Sequence, residues 1–145
     1  MAAKDSLDAT KKTLKAIRSA LLSDGGLQSL MAGAIFTAPP SNTKAPFVTM
    51  NVASIADWST GSEDGQAFTI DVHAWDQPQG QVPNVRPTYD ALERIRSVLH
   101  FATLTLDSPF HAVMCMCTNQ VAPYIESDGS TVHGVATFRI IVDHT

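Results

Sequence analysis

The sequence predicts an α+β fold: an antiparallel sheet of about four strands, with two main helices packed on one face. Three observations carry this. Phe68, Ile70, Val72 and Ala74 alternate with Thr69, Asp71, His73 and Trp75, the period of a strand with one buried face. Segments 5–22 and 87–100 repeat apolar residues near a 3.6-residue period, as amphipathic helices do. The candidates also follow the order helix, short strand, hairpin, helix, hairpin, with strands in runs and helices between them.

In 5–22 the stripe is Leu7, Thr10, Leu14, Ile17, Ala20 and Leu21. Asp5 or Ser6 is placed to cap it, and Gly25-Gly26 to end it. Leu27 to Met31 fits a short helical turn and Ala34-Ile35-Phe36 a short first strand. Three prolines make 38–46 a loop. Strands are expected near 47–57 and 66–76, joined by the polar turn 57–66. A second loop covers 77–87, and Pro87 suits a first helical turn because its missing amide costs nothing there. Tyr89, Leu92, Ile95 and Leu99 form the next stripe, with Asp90 and Arg94 spaced for an exposed ion pair. Strands near 110–120 and 132–143 close the chain around an Asp128-Gly129 turn. The expected core is Leu14, Ile17, Leu21, Ile70, Val72, Leu92, Ile95 and Leu99.

Composition bounds the function. A chain of 145 residues, read as one domain over 1–145, needs no metal or disulfide staple to bury a core. Apolar residues at 44% and charged residues at 17% are a globular balance. A net charge of −4 gives no reason to expect sequence-independent attraction to nucleic acid. Lys4, Lys11, Lys12, Lys15 and Arg18 crowd the first segment, which reads as a solvated helix face. No apolar run reaches the ~20 residues that span a bilayer. Lysine stands where a secretory signal would need its apolar centre, so assembly in a cytoplasm is expected.

Motifs for chemistry are few. There is no Gly-rich phosphate loop, zinc-protease motif or nucleophile elbow, and no catalytic residue, cofactor or metal is expected. Cys115 and Cys117 share a strand face, with His111 and Val113 beside them and His73 and His133 on neighbouring strands. A zinc site can be drawn from these, but the spacing is shorter than structural sites use and no second pair exists. Packed small residues are the simpler reading. Asp71 and His73 can be an acid–base pair or part of a wet sheet face. Trp75 belongs to the polar set of its strand and should point away from the helices, as an interface anchor or as a ring folded over the sheet rim. Trp58 sits among Asp57, Glu63 and Asp64, in a turn that either docks on a partner or is simply solvated. With Arg86, these are the candidate interface residues.

Three matches carry a family resemblance from about Leu14 to Asp143. The helix ending Leu21-Leu22-Ser23-Asp24 precedes Ile35-Phe36 and a Pro-rich approach to Pro46-Phe47-Val48. The strand Val72-His73-Ala74-Trp75 precedes a loop bearing Gly80 and a helix. The closing strand starts His133-Gly134-Val135 and reaches Phe138-Arg139. The chain thereby resembles the tail-completion or tail-terminator proteins of long-tailed phages and related gene-transfer particles. It departs from them in the proline-rich 82–87 and in the methionines and cysteines at 114–117.

The resemblance implies a virion structural subunit that forms a homo-oligomeric, hexameric ring. Such a ring sits at the head-proximal end of the tail, binds the tail tube protein and joins it to the head-tail connector protein. DNA would pass through it without sequence-specific contact, and no membrane is involved. The competing expectation is a small α+β ligand-binding protein or enzyme with a pocket between sheet and helices.

Overall fold

The computed structural model of the protein describes residues 8–31, 34–41, 43–77 and 82–144. Helices α1 (Thr10–Leu22) and α2 (Gly25–Met31) come first, then the short strand β1 (Ile35–Phe36). The hairpin of β2 (Phe47–Asp57) and β3 (Asp64–Asp76) follows. Helix α3 (Arg86–Leu99) leads to the second hairpin, β4 (Phe110–Ile125) and β5 (Val132–His144).

The strands lie in the order β1-β2-β3-β5-β4. Neighbours from β2 to β4 pair antiparallel, whereas β1 runs parallel to β2, with Ile35 opposite Val48. The sheet is therefore mixed and five-stranded, not an antiparallel sheet of about four. The cause is the Pro-rich segment after Phe36. It carries the chain back so that β2 starts level with β1 and points the same way, which a tight turn cannot do.

One face of the sheet is covered. Phe68, Ile70, Val72 and Ala74 of β3 point into the same cluster as Phe138 and Ile140 of β5 and Val48 and Met50 of β2. Ile17, Leu21, Leu27, Ile95 and Leu99 press on them from the three helices. Fully burying a side chain of this size stabilises by ~1.5–3 kcal/mol, so this layer sets the fold. Among the described residues, no helix is long and apolar enough to cross a membrane.

Several helix details differ from expectation. The proposed caps Asp5 and Ser6, with Leu7, lie outside the described residues. Helix α1 begins after Ala9, and Asp8 Oδ1 accepts from the amide (3.0 Å) and hydroxyl of Thr10. Its buried residues are Thr13, Ala16, Ile17 and Leu21, while Leu14 is half-buried at the core margin. Thr13 and Ala16 are short, which brings that side of the helix closest to the core. Gly25-Gly26 does not end a helix in a loop but opens α2. Asp24 Oδ2 accepts from the Leu27 amide at 2.8 Å, an N-cap bond to an otherwise unpaired donor.

Arg94 does not pair with Asp90. Its guanidinium grips Asp24 with two bonds, Nη2 to Oδ1 at 2.5 Å and Nε to Oδ2 at 3.1 Å. A fork on a carboxylate that also caps a helix is better placed than an exposed pair on one helix turn. It ties the α1–α2 corner to α3 and holds the Asp24 carboxyl below its ordinary range. In α3, Pro87 stands in the first turn as expected. Tyr89 is exposed, and Thr88 and Ala91 occupy the buried stripe beside Leu92, Ile95 and Leu99.

Strand β4 runs on to Ile125, beyond the expected 120, and its register with β5 shifts at three places. The closing turn is the expected one: Gly129 has φ +73°, and Asp128 accepts from the amides of Ser130 and Thr131.

Candidate functional site

The uncovered face of the sheet carries the polar set of each strand. Near the end of the sheet where β3 finishes, three rings lie across neighbouring strands. Trp75 and His133 are cross-strand partners, with ring centroids 3.6 Å apart and planes 7° from parallel. His73 lies edge to edge with His133, centroids 5.0 Å apart and planes 24° from parallel, and Trp75 Nε1–H donates to Thr49 Oγ1 at 3.0 Å. Trp75 thus points away from the helices as expected, and lies half-buried over β5 and β2.

A chain of hydrogen bonds runs through the two histidine rings. Glu126 Oε1 is 2.8 Å from His133 Nδ1, His133 Nε2 is 2.8 Å from His73 Nδ1, and His73 Nε2 is 2.7 Å from Asn51 Oδ1. The Tyr124 hydroxyl is 3.2 Å from His133 Nδ1. His133 is almost fully buried. Burial first, and then the nearby His133, push the pKa of His73 below its ordinary value, against a smaller upward pull from Asp71. Asp71 and His73 share the face without bonding as an acid–base pair. Asp71 instead accepts from Thr137 Oγ1 at 2.7 Å.

The drawn zinc set does not assemble. The register shift between Ala112 and Met114 changes the alternation, so Ala112 rather than His111 joins Cys115 on the covered face. Cys115 packs against the core, and its burial raises the thiol pKa to about 12. His73 and His133 are on the opposite face. Among the described residues, no group of three or more His, Cys, Asp or Glu side chains is placed to hold a metal ion.

The six candidate interface residues fall at opposite ends of the sheet. Asp57 ends β2 and Asp64 starts β3, so the turn between them is shorter than the expected 57–66. Trp58 and Glu63 are exposed in it, with the Trp58 amide bonded to Gly65 O at 2.9 Å. Trp75 and Arg86 belong to the other end. Eleven residue steps along β3 separate Asp64 from Trp75, a span of ~36 Å. Of the loop expected at 77–86, residues 78–81 lie outside the described residues.

Space between sheet and helices is filled by the core, and the larger clefts are marginal. One of about 350 Å³ lies at the acidic end, among Asp8, Asp57, Asp64, Gln66 and Asp143. Another of about 350 Å³ runs between α3 and β4, beside Tyr89, Leu92, Val121 and Pro123. This second cleft lies between a helix and the sheet, at the margin of the layer. Sequence reasoning missed Phe101, which is 71% exposed at φ +59° just past α3. Its amide donates to Cys115 O at 2.8 Å. A bulky residue held in that left-handed region had no signal in the sequence pattern.

The fold is thus an α+β domain with an open sheet face that carries Trp75, His133 and His73. Residues 15–143 match the family described as tail completion protein gp17, and the chain belongs to that family. No curated protein matches it. Its structure is similar to a chain of the virion of native gene transfer agent (GTA) particle, with TM-score 0.82 and 19% identity over 95% of this chain and 99% of that one. It is also similar to the bacteriophage SPP1 gp17 protein, with TM-score 0.57 and 21% identity over 96% of this chain and 95% of that one. At these identities the likeness is one of fold.

Proposed function

We propose that the protein is a virion structural subunit that completes the tail. It works as one domain, without catalysis, in a homo-oligomeric ring of six copies at the head-proximal end of the tail tube. One end of the ring binds the last layer of tail tube protein and stops its growth, and the other joins the head-tail connector protein. DNA passes through the lumen, and the ring assembles in the host cytoplasm. The observation that carries this reading is family membership over nearly the whole chain.

The geometry supports it in two ways. The candidate contacts sit at opposed ends: Asp57, Trp58, Glu63 and Asp64 at one, Trp75 and Arg86 at the other. A single subunit can therefore face two partners at once. A ring also needs two different lateral surfaces per subunit. Among the described residues the sheet offers two unlike edges, since β4 pairs only with β5, and β1 pairs with β2 only at Val48 and Thr49. Deleting the gene tests the proposal. Heads without joined tails, and tails of irregular length, are expected. Normal infectious particles made without the protein would overturn it.

A further inference from the structure

We propose that His133 and His73 form a single-proton relay across the open sheet face, switched by a change of His73 tautomer and an end-for-end turn of the Asn51 amide. The proton count of the bonded row requires it. An ionised Glu126 carboxylate only accepts, so His133 Nδ1 must carry a hydrogen. Tyr124 agrees: its hydroxyl oxygen lies 3.2 Å from the same nitrogen and can accept from that N–H. Between His133 Nε2 and His73 Nδ1, 2.8 Å apart, there is room for one hydrogen.

Two arrangements that differ in proton count satisfy every bond; the charged one could hold its cation on either ring, and burial disfavours it on His73. In the first, the hydrogen belongs to His133 Nε2. His133 is then an imidazolium beside Glu126, His73 accepts at Nδ1, and its Nε2–H donates to Asn51 Oδ1, the contact observed at 2.7 Å. In the second, the shared hydrogen belongs to His73 Nδ1 and both rings are neutral. His73 Nε2 is then bare and needs a donor, which Asn51 supplies by turning its NH₂ inward. The two states differ by one proton, lost to water from His73 Nε2 at the exposed Asn51 end.

The surroundings favour one proton per pair. The charged state puts an imidazolium face-on to Trp75 at 3.6 Å and beside a carboxylate. A second proton would set two N–H groups against each other across 2.8 Å. The groups facing the pair are Glu126 and Tyr124 from β4 and its turn, Asp71 from β3, and the neutral Asn51 and Thr49 from β2. From β5 come Val135 and Thr137, both uncharged. The switch changes what the face offers a partner. Asn51 shows water its NH₂ in the charged state and its carbonyl in the neutral one. The inference is independent of whether the protein works in a ring.

Imidazole ¹⁵N shifts of the full-length protein, followed from pH 5 to 9, test it. One shared step is expected, in which His73 passes from the Nε2–H to the Nδ1–H form as pH rises while His133 keeps Nδ1–H. Asn51→Asp can accept but not donate, so it should hold His73 as Nε2–H and raise the midpoint by about one unit or more. Asn51 is exposed, so this variant should fold. Glu126→Gln should lower the midpoint by about as much. Two histidines that titrate independently, a His73 tautomer that never changes, or an Asn51→Asp midpoint that stays put or falls would each overturn the relay.

Discussion

Gly134 is where a single methyl should matter most. It lies on β5 opposite Ala74, beneath α3 and beside the end of β4. A Cβ there would stand 2.6 Å from Leu92 Cδ1, 3.1 Å from Pro123 Cγ and 3.4 Å from Pro123 Cα. Leu92 is 4% exposed and lines the cleft between α3 and β4, so its methyl must shift toward that cleft or against another core side chain, while the Pro123 ring on the other side is stiff. Overpacking of this kind costs ~1–3 kcal/mol. Restricting the unfolded chain offsets ~0.4–1 kcal/mol of that. Gly134→Ala should therefore lose about 1–2 kcal/mol, and its Tm should fall by ~2–8 °C at the ~2–4 °C per kcal/mol typical of this size. Urea unfolding with linear extrapolation, checked by calorimetry, measures it. Leu92→Ala alone should cost ~2–5 kcal/mol. In the double variant the new methyl occupies the vacated space, so the combined loss should fall short of the sum by ~0.5–2 kcal/mol. A Gly134→Ala protein as stable as the parent, or strict additivity with Leu92→Ala, would refute the reasoning.

Further outcomes follow from the buried thiol and the shifted acids. With its pKa near 12, Cys115 should resist a thiol reagent at pH 8 in the native protein and react on unfolding, whereas half-exposed Cys117 reacts first. Mass spectrometry of partly labelled protein checks the order. Stability should fall in two stages on acidification. His73 has a depressed folded pKa, so its contribution is present above its ordinary 6.5 and is lost as pH falls from there through the folded value. Asp24, also depressed, acts later, below its ordinary 3.8. Urea midpoints across pH 3–8 measure both. His73→Gln should abolish the upper stage only, and Asp24→Asn should weaken the lower one. A midpoint unchanged between pH 7 and 5 would contradict the first stage.

The sequence by itself determined the α+β class, the hairpins, the covered face of β3 and the Asp128-Gly129 turn. These follow from period and turn chemistry, which act over a few residues. It also determined the family, because the order and spacing of the elements carry the resemblance over most of the chain. The outward direction of Trp75 was legible for the same local reason: it belongs to the polar set of a period-two strand.

Only the tertiary structure decided the rest. Arg94 had a local candidate in Asp90, yet a distant carboxylate, Asp24, offered two bonds and a helix cap at once. The drawn Cys–His cluster failed because a register shift in β4 moves His111 off the face of Cys115, and no local pattern announces a bulge. The bonded row from Glu126 to Asn51 needed β5 to sit between β3 and β4. Strand order is set by which apolar faces close one core, a property of the whole chain. The sequence could place His73 and His133 on strands of one sheet. Only the register, with Trp75 opposite His133, put their ring nitrogens within reach of each other.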